Sequence, residues 1–94
     1  MKIFNWDEEK NNKLKKERNI SFEDIVSAIN NGSKIESYDH PNQDKYPGQK
    51  IYAINFKKYV YLVPYYENNN EIFLKTIIPS RKATKKYLGD KNEK

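Results

Sequence analysis

The chain contains no cysteine, a single histidine (His40) and three widely separated glycines. Without thiols it can form neither a disulfide nor a thiolate metal site, which fits a reducing compartment. One histidine excludes a paired-histidine metal motif, and the close carboxylates Asp7, Glu8 and Glu9 are better explained as charges at a helix start, so neither metal nor cofactor is expected. Scattered glycines make no phosphate-cradling loop, and no serine stands in a nucleophile elbow. No apolar run approaches the ~18 residues of a membrane span, and the opening MKIFNWDEEKNN lacks the apolar core of a secretion signal. These absences predict a cytoplasmic protein with no membrane partner.

What is present suits one small domain. The 94 residues allow a modest single core, expected over residues 1–89, with DKNEK at 90–94 as a frayed end. Only 36% of residues are hydrophobic, but eight Tyr, four Phe and one Trp compensate, because each aromatic buries a large area. The net charge is +5. Six basic residues against Asp90 and Glu93 place +4 of it between Ser80 and Lys94, so phosphate or an acidic partner should be drawn to that end.

Residues 2–6 read as a short opening strand with Ile3, Phe4 and Trp6 as its candidates for the core, followed by a helix over 8 to about 18 capped by Asp7. The segment SFED at 21–24 is a capping box, and Phe22, Ile25, Val26 and Ile29 fall at helical spacing before Asn31-Gly32 ends that element. Beyond Gly32 the period changes to two. Residues 34–39, 50–56, 59–65 and 71–78 read as strands, with Lys57-Lys58 and residues 67–70 as hairpin loops. In the last strand, Ile72, Leu74, Thr76 and Ile78 should share one face. Pro79 cannot serve a sheet ladder and Ser80 is a good N-cap, so the chain should leave the sheet there for a helix stopped by Gly89. The expected fold is α+β: about four antiparallel strands, two helices before them and a short one after.

Two stretches could carry chemistry. Arg81, Lys82, Lys85 and Lys86 open the final helix, whose free N–H groups attract anions; a charge run there is otherwise a solvated face. His40 begins the loop HPNQDKYPGQ at 40–49, whose length turning alone does not explain. It is either a loop anchor or a group titrating near neutrality. With metal chemistry set aside, cleavage of RNA by its own 2′-hydroxyl remains, a reaction that needs proton transfer and fixed positive charge. Arg81, Lys75, Lys82, Tyr46 and His40 are candidates for those tasks.

The segments WDEEK at 6–10, ISFED at 20–24 and IIPSRKATKKYL at 77–88 occur in the order and spacing of the BrnT-like toxins of bacterial type II toxin-antitoxin systems, and the whole chain resembles them. The resemblance implies a RelE-like ribonuclease that cleaves mRNA, free or on the ribosome, and so inhibits translation. Its implied partner is a cognate antitoxin with a ribbon-helix-helix DNA-binding domain, through which alone operator DNA would be met. It places weight on Arg81 as the group that binds and stabilises the scissile phosphate, with Lys75 adding charge and His40 or Tyr46 handling a proton. Lys82, Lys85, Lys16 and Arg18 would bind RNA phosphates. Two departures stand out: Glu17-Arg18-Asn19 replaces the family's Lys-His-Gly, and Thr76 occupies a position that is commonly Arg. A module that binds RNA or antitoxin without cutting, kept for autoregulation, is the alternative.

Overall fold

The computed structural model describes residues 2–89; the frayed end expected at 90–94 lies outside the described residues. The chain runs β1 (Ile3–Trp6), α1 (Glu8–Arg18), α2 (Phe22–Asn30), β2 (Lys34–Asp39), β3 (Lys50–Phe56), β4 (Tyr59–Glu67), β5 (Glu71–Leu74), β6 (Ile78–Pro79) and α3 (Arg81–Leu88). One sheet has the order β1-β5-β4-β3-β2, and β6 pairs separately with β4. The fold is therefore α+β, as expected, but the sheet holds six strands rather than about four.

The extra strands have two origins. β1 joins β5 in parallel, pairing Trp6 with Leu74, a long-range contact that leaves no local signal. The anticipated strand over 71–78 also divides, because Lys75 to Ile77 leave the ladder before Ile78 and Pro79 rejoin it against Leu62 and Tyr61. Three unladdered residues shift the alternation by one position. As a result Ile77 is fully buried while Ile78 is 43% exposed, so the expected shared face of Ile72, Leu74, Thr76 and Ile78 does not persist past Leu74. Ile3 is likewise corrected. It is 66% exposed, whereas Phe4 and Trp6 pack against the core as expected.

The helix caps follow the local chemistry. Asp7 accepts from the Glu9 N–H, Ser21 and Asp24 form the reciprocal capping box, and the Ser80 hydroxyl accepts from the Ala83 N–H. α1 closes on Asn19 with φ 56°, a left-handed conformation that asparagine tolerates. Lys57 and Lys58 both have positive φ, the geometry of a two-residue hairpin turn whose twist matches its strands.

Alternation along β3 and β4 gives the sheet two unlike faces. Tyr52, Ile54, Val63, Tyr65, Ile72 and Leu74 point to one side, where α1 and α2 add Leu14, Phe22 and Ile25. Trp6 stacks on Phe22 with centroids 5.7 Å apart, and Tyr52 stacks on Tyr65 at 3.9 Å. Burial, then the neighbouring Tyr65 and Glu67, pushes the Tyr52 phenol well above its ordinary value. Buried Asn11 joins the two helices, its Oδ1 accepting from the Phe22 N–H at 2.7 Å and its Nδ2 donating to Glu23 at 2.8 Å. That second bond holds the Glu23 carboxyl below its usual range.

The opposite face is covered only in part. α3 packs Ala83, Tyr87 and Leu88 over Ala53, Val60 and Leu62. Thr84 fastens it there, its Oγ1 accepting from the Val60 N–H at 2.9 Å and donating to the Ser80 carbonyl at 2.8 Å. The stretch of this face toward β5 lies outside that helix-covered cluster.

Candidate functional site

Beside β5 lies a cleft of about 510 Å3, lined by Asp7, Lys10, His40, Tyr46, Gln49, Pro64, Phe73, Lys75, Thr76 and Ile78. Its size falls in the range of small-ligand pockets. Three sources converge on it: the 40–49 loop, the irregular stretch after β5, and the first turn of α1. Lys75 turns back over the aromatic face, its Nζ 5.5 Å from the Phe73 centroid and 5.9 Å from that of Tyr66. Such contacts position an ammonium without neutralising it.

The loop is a built structure. Its ends are joined by the His40 N–H donating to the Gln49 carbonyl at 2.9 Å. Gln43 fills the middle, its amide nitrogen donating to the carbonyls of His40 and Gln49 and its oxygen accepting from the Gly48 N–H. The His40 and Tyr46 rings meet at 4.4 Å with a 36° tilt. His40 Nδ1 accepts from the Asn42 N–H at 3.0 Å, so the neutral imidazole carries its proton on Nε2. Nε2 is the nitrogen left for a substrate.

Three of the five residues that the sequence offers for the chemistry, His40, Tyr46 and Lys75, thus line one cleft. Arg81 does not join them there. It is exposed at the first position of α3, three residues beyond Ile78 in the cleft wall, and lines neither this cleft nor the next. Lys82 and Lys86 line a separate cleft of about 420 Å3 beneath α3, with Glu36, Tyr38, Leu62, Ser80, Ala83 and Tyr87. Burial, with Tyr87 and Glu36 nearby, raises the Tyr38 phenol above its ordinary value. Lys85 and Lys16 are exposed and line neither cleft.

Arg18 has a partner the sequence did not indicate: its guanidinium donates to the Ile77 carbonyl at 2.9 Å. It also lines a smaller hollow of about 160 Å3 together with Thr76 and Lys10. The two departures from the family pattern, at Arg18 and Thr76, are therefore neighbours in space. Lys10 borders both this hollow and the larger cleft. Sequence reasoning missed it, because a lysine on a polar helix carries no distinguishing mark, and it missed Gln49 for the same reason.

Among the described residues no group of three or more His, Asp or Glu side chains is placed to hold a metal ion, and no helix is long and apolar enough to cross a membrane. The pattern of the family described as the ribonuclease toxin BrnT of type II toxin-antitoxin systems matches residues 6–86. No curated protein and no solved structure matches the chain significantly. The match spans both N-terminal helices, the loop and cleft residues and most of α3, and the chain belongs to the BrnT family of ribonuclease toxins.

Proposed function

We propose that the chain is a metal-independent endoribonuclease that cuts mRNA in the His40–Tyr46–Lys75 cleft and so blocks translation. The observation that carries this reading is the convergence of an imidazole, a phenol and an ammonium on one cleft. These side chains suffice for transfer of an RNA phosphate to its own 2′-oxygen. The 2′-oxygen attacks phosphorus, the bond to the 5′-oxygen breaks, and the products are a 2′,3′-cyclic phosphate and a free 5′-hydroxyl. Lys75 and Lys10 stabilise the charge that builds on the phosphorane oxygens. His40 and Tyr46, whose rings touch, conduct the proton traffic. Arg81, outside the cleft and exposed, holds a flanking phosphate and guides the strand in, with Lys82, Lys85, Lys16 and Arg18 adding weaker attraction.

The same reading takes the fold to be RelE-like, which the small, mostly antiparallel sheet flanked by helices supports. It also gives the chain an antitoxin partner of the ribbon-helix-helix type, through which operator DNA is bound.

Incubating the purified chain with RNA in EDTA tests the reaction. Fragments ending in cyclic phosphate are expected, from naked RNA or from messenger on translating ribosomes. Intact RNA in both settings, with only a shifted band, would leave a binding module. Arg81→Ala should slow cleavage roughly tenfold and lower the salt dependence of binding by about one ion, the signature of one lost phosphate contact.

A further inference from the structure

Gln49 is buried where the 40–49 loop closes. It is 6% exposed, one of three buried polar or charged residues among those described. The other two are consumed by structure: Asn11 joins α1 to α2, and Ser21 caps α2. The Gln49 carboxamide makes one hydrogen bond, Nε2 donating to the Tyr66 hydroxyl at 3.1 Å. An amide can donate twice and accept twice, so Oε1 and the second N–H remain available on a residue that lines the cleft.

The Tyr66 hydroxyl, which can donate or accept, holds one end of the amide. The rest of the carboxamide presents an acceptor beside a donor. Around it the cleft offers flat apolar or aromatic surface in Pro64, Phe73 and Tyr46, with the Lys75 ammonium alongside. Planar surface, a cation for phosphate and an oriented amide are the elements by which proteins hold and identify an unpaired base.

We infer that Gln49 reads a nucleobase of the bound strand, and that the base is adenine. Glutamine pairs adenine through two parallel hydrogen bonds, accepting from N6–H and donating to a ring nitrogen, whereas a carboxylate at the same place accepts from the cytosine amine. The inference rests on the reading that RNA occupies this cleft, and it adds a sequence preference to it.

The test uses short 2′-O-methyl oligoadenylate and oligocytidylate strands, which lack the attacking hydroxyl and cannot be cut. The wild-type chain should bind the adenine strand about tenfold tighter or more, the discrimination expected of a good bidentate pair. Gln49→Glu should move the preference toward cytosine, and Gln49→Met, similar in volume, should abolish it. Tyr66→Phe, which leaves residue 49 untouched but frees its amide to turn, should weaken the preference severalfold and keeps the question open to test if both changes at 49 prevent folding. Equal wild-type affinities, or an adenine preference untouched by these variants, would overturn the inference. Adenine-selective binding without cleavage of ordinary RNA would sink the nuclease reading and leave the base pocket standing. Cleavage at adenines that Gln49→Glu does not redirect would do the reverse.

Discussion

The two sides of the sheet are treated differently. On one, α1 and α2 cover Tyr52, Ile54, Val63, Tyr65, Ile72 and Leu74, and most of the hydrophobic core lies there. On the other, α3 covers a small cluster around Ala53 and Val60, and the part toward β5 carries His40, Tyr46, Gln49 and Lys75 around a cleft. Stability is concentrated where the sheet is fully covered, and the candidate site lies where the cover stops. A domain this small needs one face for its core. The other can be left open to a ligand.

That contrast can be broken by substitutions on each side. The largest expected effect on stability is from Phe22→Ala on the covered face. Phe22 is fully buried and stacked on Trp6, so its loss should cost about 3–5 kcal/mol, read from the urea midpoint. A change below about 1 kcal/mol would mean the core is not centred there. Lys75→Ala on the open face should do the opposite. The side chain is exposed, so stability should stay within about 0.5 kcal/mol of wild type, while cleavage slows by about 100- to 1,000-fold, the scale of losing one preorganised charge at a reacting phosphate. Lys86→Ala beneath α3, at a residue that lines the other cleft and is given no part in holding the strand, is the control and should change the rate less than about threefold.

The legible part of this architecture was local. SFED specified a cap that formed as read, Ser80 began α3, and Lys57-Lys58 turned the hairpin. Each signal lies within a few residues of the feature it produces. The missed parts depend on distant partners. Nothing near residue 3 says that β1 will pair in parallel with β5. The apparent alternation of 71–78 also conceals three residues that step out of the ladder and reverse which isoleucine is buried. The site divided in the same way: residue types suited to the chemistry could be named, but not which would meet. Arg81, the most prominent by motif, lies outside the cleft that the 40–49 loop helps to build.

The smallest predicted effect concerns pH and again separates the two faces. Burial raises the phenols of Tyr52 on the covered face and Tyr38 beneath α3. A folded-state value above the unfolded one stabilises the fold fully below the ordinary phenol value of about 10 and loses that contribution as pH rises past it. The denaturation midpoint should therefore be flat near pH 8 and fall above about pH 10. Tyr52→Phe should remove more of that decline than Tyr38→Phe, because the shift at Tyr52 is the larger.

The proposed reaction requires the RNA strand to lie in the cleft lined by His40, Tyr46 and Lys75. Backbone amide shifts of the isotope-labelled chain, followed during titration with an uncleavable 2′-O-methyl oligonucleotide, locate it directly. The prediction is that the largest changes fall on Lys10, on residues 40–49 and on Phe73, Lys75 and Thr76, with Tyr38, Ala83 and Tyr87 little moved. Changes centred on those last three residues, with the 40–49 loop silent, would put the strand beneath α3 and contradict it.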